Sequence, residues 1–110
     1  MPSIIPELVH KAAEKAIAHL CLEPISRSGQ EFYISFESVV DGFELRALPA
    51  GQNRLHALAR VKFSLELEQW TLHRPRGDDR WSYVPEAGGA LDLNKLLRYV
   101  KEDPLNIFWK

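Results

Sequence analysis

Residues 54–65 read RLHALARVKFSL, and their apolar side chains fall on every second position. Leu55, Ala57, Ala59, Val61, Phe63 and Leu65 share one parity, against Arg54, His56, Leu58, Arg60, Lys62 and Ser64 on the other. Side chains of an extended strand alternate between its two faces, so this pattern predicts a strand with one apolar and one basic face. An apolar sheet face must be covered, which commits the chain to a layered fold.

The neighbouring segments repeat the alternation. In residues 31–40, EFYISFESVV, Phe32, Ile34 and Phe36 oppose Tyr33, Ser35 and Glu37. Asp41-Gly42 is a hairpin signal, and in residues 43–48 Phe43, Leu45 and Ala47 oppose Glu44, Arg46 and Leu48. PAGQN, residues 49–53, is the next turn. EQWTLHR, residues 68–74, is a fourth strand with Trp70 and Leu72 on one side, RGDD is a turn, and RWSYV, residues 80–84, is a fifth strand. Trp70, Leu72, Trp81 and Tyr83 are expected to stack as cross-strand pairs in an aromatic core.

Helices flank these strands. After Pro6, suited to a first helical turn, Ile5, Leu8, Val9, Ala12, Ala13, Ala16, Ile17 and Leu20 form an apolar stripe at helical spacing, with Glu7 and Lys11 paired on the solvent side. Pro24 ends that segment, and Ser26 to Gln30 read as a linker. Asp92 is an N-cap candidate for a closing helix with Leu93, Leu96, Leu97 and Val100 as its stripe and Pro104 as its stop. The tail LNIFWK is too apolar to hang free, so Ile107 and Phe108 are expected to dock. The prediction is an α+β fold in the order α-β-β-β-β-β-α: a five-stranded antiparallel meander with both helices packed on one face, over residues 1–110 as a single domain.

Composition narrows the function classes. A formal net charge of -1 gives no global attraction to nucleic acid or anionic lipid. Cys21 is the single cysteine, so no intrachain disulfide forms and a thiolate zinc site lacks partners. No signal-peptide pattern opens the sequence and no apolar run has the length of a membrane span, so a cytoplasmic protein without membrane contact is expected. His10, His19, His56 and His73 lack ligand spacing on a common element, so no metal site or cofactor is expected. His19 and Cys21 stand two apart on a helix and do not face each other, which leaves the thiol without a base. Glu66 and Glu68 fall at a strand end and read as loop charges. Arg76-Gly77-Asp78 spells an integrin-type tripeptide, read as chance in a chain with no secretion signal.

One surface stands out. If the alternation holds, Arg46, Arg54, His56, Arg60 and Lys62 share the outward face of the sheet with Tyr33 and Glu44. Basic groups around an exposed tyrosine suit phosphates or stacked bases, although a solvated face with internal ion pairs has the same pattern.

Residues from Glu44 onward resemble a family of small bacterial proteins known as a domain of unknown function. Ala59-Arg60, Phe63, Trp70 and the run from Arg76 to Trp81 match its Ala-basic step, its aromatic, its tryptophan and its Arg-x-Asp-x-basic-Trp-His signature; Glu44-Leu45-Arg46 matches its Glu-aliphatic-Arg-Pro segment. The helix ending at Asp103 and the aromatic Phe108 resemble its C-terminal end. Ser82 replaces the final histidine and Ala47 the proline. The resemblance implies no activity or cofactor; it singles out Glu44, Arg46, Arg60, Arg76, Asp78 and Arg80. With Lys62 these are the candidate binding residues. The expected function is a non-catalytic binding module using the Arg-rich face and the 76–80 turn, with an acidic protein segment or a phosphate-bearing ligand as partner. Single-stranded RNA or DNA is the alternative partner, and a homodimer, as against a monomer, the structural alternative.

Overall fold

The computed structural model describes residues 5–77, 80–105 and 107–109. Helix α1 (Glu7–Leu20) is followed by strands β1 (Ile25–Arg27), β2 (Gln30–Val39), β3 (Gly42–Pro49), β4 (His56–Ser64), β5 (Gln69–Pro75) and β6 (Trp81–Tyr83). A 3-10 turn (Pro85–Ala87) and helix α2 (Leu93–Glu102) complete the order. Each strand pairs antiparallel with the next, so the sheet is a meander in sequence order.

The α+β class, the two flanking helices and the meander match the sequence expectation; the strand number does not. The described residues form a sheet of six strands rather than five. The additional strand, β1, overlaps the start of the Ser26–Gln30 segment read as a linker and folds back on β2 around Ser28 and Gly29, both at positive φ. A three-residue strand is too short to display an alternation.

Both helices pack on one face of the sheet. Ala13 and Ile17 of α1 and Leu93, Leu96, Leu97 and Val100 of α2 join Ile34, Phe43, Leu45, Val61, Trp70 and Leu72 in one buried cluster. Asp92 caps α2 by accepting a hydrogen bond from the Asn94 N–H at 3.0 Å, and Glu7 pairs with Lys11 at 3.2 Å. The stripe of α1 is narrower than its sequence suggests. Leu8 is 82% exposed and Ala12 is exposed too, because the helix meets the sheet along the Ala13–Ile17 line. Pro6 is the N-cap rather than a first-turn residue.

Three local features decide which side chains reach which face. Val40 and Asp41 form the β2–β3 turn, with Gly42 already paired to Val39. A Cβ on Gly42 would lie 1.8 Å from the Val61 carbonyl oxygen, so this glycine permits close approach of β3 and β4. The second feature is a β-bulge in β4. Leu45 pairs with Ala59 but Arg46 pairs with Ala57, leaving Leu58 as the extra residue. Leu58 and Ala59 are both buried, and the parity reverses before the bulge. His56 therefore stands opposite core-facing Ala47, not on the outward face with Arg60 and Lys62 as expected. Leu55 is 48% exposed and Arg54 precedes the strand.

The third feature overturns the expected aromatic core. His73 pairs with Tyr83 and Pro75 with Trp81, a register in which odd residues face odd residues. Trp70 and Leu72 are buried under the helices, while half-buried Trp81 and 48% exposed Tyr83 lie on the opposite face. The core position next to Leu72 is filled instead by Val84, whose N–H donates to the Leu72 carbonyl.

The tail docks as expected, and its anchor is a residue the patterning did not single out. Asp103 ends α2 in the left-handed region at φ 45° and is 3% exposed. Its carboxylate accepts from the N–H groups of Ile107 at 2.8 Å and of Phe108 and Trp109 at 3.0 Å. The Trp109 indole N–H donates to the Val100 carbonyl at 2.8 Å. Arg27 of β1 donates to the Lys101 and Glu102 carbonyls, satisfying acceptors that a helix C-terminus leaves open.

Candidate functional site

The outward face of the sheet is built from cross-strand rows. One row places Glu37, Glu44, Arg60, His73 and Tyr83 side by side across β2, β3, β4, β5 and β6. Glu37 and Glu44 are direct neighbours, an arrangement that repels unless a cation intervenes. Arg46, two residues along β3, supplies it: its Nη2 lies 2.5 Å from Glu37 Oε2 and its Nε donates to Glu44 Oε2 at 2.9 Å. Arg60 completes the set, donating from Nε and Nη2 to Glu44 Oε1 at 3.1 and 2.9 Å.

Beyond Glu44 the chain of contacts continues into an aromatic. The Arg60 guanidinium carbon sits 4.6 Å from the centre of the Trp81 ring, a cation–π contact worth about 0.5–1 kcal/mol where partly exposed. Glu37, Arg46, Glu44, Arg60 and Trp81 thus form one connected line across the open face. Partial burial pushes the Glu44 carboxyl up. The hydrogen bonds and charges of Arg46 and Arg60 outweigh that effect, and Glu44 titrates below its ordinary value.

The surrounding residues complete the surface. Lys62 stands 3.8 Å from Asp41. The His73 ring contacts the Thr71 hydroxyl at 2.9 Å and packs 5.7 Å from the Tyr83 ring; burial, then the positive charge of Lys62, holds its pKa below the usual histidine value. Arg46, Arg60 and Lys62 are matched by Glu37, Glu44 and Asp41, so the face is rich in arginine yet charge-balanced.

The expected site residues separate into two groups. Glu44, Arg46, Arg60 and Lys62 come together on this face. Arg76 and Arg80 lie at the exposed β5–β6 turn, where the Arg76 N–H donates to the Arg80 carbonyl and its guanidinium reaches Ser82 Oγ at 3.3 Å. Asp78 lies outside the described residues. Trp81 and Tyr83, read as core, belong to the outward surface. The sequence signal for this was the three residues between Arg76 and Arg80: an odd turn keeps Trp70 and Trp81 on opposite faces.

Cys21 closes α1 as a half-buried thiol whose pKa is raised by desolvation. Among the described residues no group of three or more His, Cys, Asp or Glu is placed to hold a metal ion. No described helix is long and apolar enough to cross a membrane.

Comparison with curated proteins and with solved structures gives no match. The model of a domain of unknown function, DUF3024, matches residues 5–110, in line with the resemblance to an uncharacterised domain family, and the chain belongs to that family.

Proposed function

We propose that this chain is a non-catalytic binding module that docks a protein partner on its outward sheet face. The observation that carries the reading is Arg60, held by Glu44 on one side and stacked on Trp81 on the other. A side chain already fixed in place loses little rotamer freedom on association, and arginine, tryptophan and tyrosine are the residues enriched where interfaces are strongest. Tyr83, about half exposed, ends the row that contains Arg60, and Tyr33, similarly exposed, lies farther along β2 on the same face.

Charge balance favours a polypeptide over a nucleic acid. Binding to a phosphate backbone draws its affinity from unneutralised cations that release counterions, whereas each cation of this face already has its own carboxylate. A partner surface of alternating charge complements the row better than a polyanion does. Arg76 and Arg80 at the turn are placed to meet an acidic flank of that partner.

A photo-crosslinking amino acid at Tyr33 or Tyr83, with Lys15 on the outer side of α1 as control, tests the reading in cells. The expected result is a protein adduct from Tyr33 and Tyr83 but not Lys15, reconstituted from purified components and lost in Arg60→Glu. Equal adducts at Lys15 overturn it. A second copy of this chain as the adduct makes the face a homodimer interface. Amide shifts at Arg46, Arg60 and Lys62 with short single-stranded RNA or DNA, reversed by salt, transfer it to nucleic acid.

A further inference from the structure

On the helix side, at the end of the sheet where β4 begins and β5 ends, the docked tail roofs a cavity of about 410 Å³. Its apolar wall is Phe32, Leu58, Ile107, Phe108 and Trp109. The wall is held in shape: the Trp109 ring packs 5.0 Å from Phe32, its indole is tied to Val100, and Asp103 grips the backbone of all three tail residues.

Among the described residues the polar lining comes from Gln52, His56 and Arg74, with no aspartate or glutamate. Two separate features of the fold put the basic groups there. The bulge at Leu58 turns His56 to this face, and Arg74 shares the parity of buried Trp70 and Leu72. Among the described residues the side chains of Arg74, His56 and Gln52 have no hydrogen-bond or ion-pair partner. Half-buried Arg74 therefore differs from Arg46 and Arg60, whose carboxylates are built into the fold.

We propose that this cavity binds a small organic carboxylate with an aromatic or branched aliphatic body. A guanidinium presents a planar fork that matches a carboxylate through two parallel hydrogen bonds, and Gln52 and His56 add donors beside it. Among the described residues Arg74 is the one permanently charged group in the lining, which suits a monoanion better than a phosphate dianion. The volume falls within the range of about 300–1,000 Å³ typical of small-molecule sites. The cavity lies on the face opposite the Arg60–Trp81 line, so it stands apart from the protein-docking reading.

Titration of labelled protein with phenylacetate, indole-3-acetate, phenyl phosphate and the neutral 2-phenylethanol, followed by amide and indole NMR, tests this. The expected result is saturable movement of the Trp109 indole resonance with the two carboxylates. The alcohol and the phosphate are expected to bind at least about tenfold more weakly, about 1.4 kcal/mol. Arg74→Met, which keeps the aliphatic stem, is expected to weaken phenylacetate by about tenfold or more, and Arg98→Met, on the exposed side of α2, to leave it unchanged. His56→Leu is the second variant should Arg74→Met not fold. Absence of any Trp109 shift at millimolar phenylacetate overturns the proposal, as does a preference for the alcohol or the phosphate, or full affinity in Arg74→Met and His56→Leu.

Discussion

At the scale of single residues, two positions carry constraints out of proportion to their size. Gly42 has no room for a methyl group, since its neighbour is the backbone oxygen of Val61 rather than a flexible side chain. Gly42→Ala must separate β3 from β4 and is expected to cost about 3 kcal/mol or more in urea unfolding. Gly51 is the contrast: it has φ +83° but open space around it, so Gly51→Ala bears only the left-handed penalty of about 1–2 kcal/mol. Asp103 accepts three backbone hydrogen bonds as a carboxylate, and bonds to charged groups are worth about 1.5–3 kcal/mol each before losses elsewhere. Asp103→Asn keeps the left-handed backbone accessible but loses the charge and turns an amide N–H toward donors. A loss of about 2–3 kcal/mol is expected, with the Trp109 indole resonance moving toward its solvent-exposed position. Neither residue was legible from patterning. A glycine beside an aspartate reads as a turn, and an acidic residue at a helix end reads as solvated.

At the scale of elements, the sequence is legible wherever a strand is long and regular. The alternation in β2 and β3 predicted which side chains are buried, and so did the stripe of α2. It failed at the bulge because Leu58 and Ala59 are both apolar, leaving no change of character to mark the slipped register. Of the candidate surface, Glu44, Arg46, Arg60 and Lys62 were legible from parity alone, but their ion pairs depend on strand register, which a single strand's pattern does not contain. Those pairs make a pH prediction. The folded-state pKa of Glu44 is depressed, so its contribution is present above the ordinary glutamate value of about 4.3 and is lost as pH falls through the lower folded value. Glu44→Gln is expected to lower stability by about 1–2 kcal/mol at neutral pH, with the two unfolding curves converging in acid. A double-mutant cycle of Arg60→Ala and Trp81→Ala is expected to give a coupling of about 0.5–1 kcal/mol; zero coupling places the stacking outside the energetics of the fold.

At the scale of the whole molecule, the sheet has one face sealed by helices and one face open, and the open face is ionic yet balanced. Short single-stranded RNA is expected to give little or no amide shift at physiological salt, because few counterions remain to be released. The two proposed sites also lie on opposite faces, since alternate residues of the same strands line the Arg60–Trp81 row and the cavity under Trp109. The shortness of β1 has a further consequence. It pairs only with residues 30–32 of β2, so that, among the described residues, 33–39 have β3 on one side and no strand on the other. That stretch reads YISFESV, rich in the residue types that stack into fibrils, and a bare margin of this kind can seed another chain. Its built-in guard is Glu37, a charge at mid-strand held by Arg46. Light scattering on concentrated samples is expected to show Glu37→Gln turning turbid sooner than the native chain, and Ser35→Lys delaying it; equal times to turbidity would remove this carboxylate as the guard of the margin.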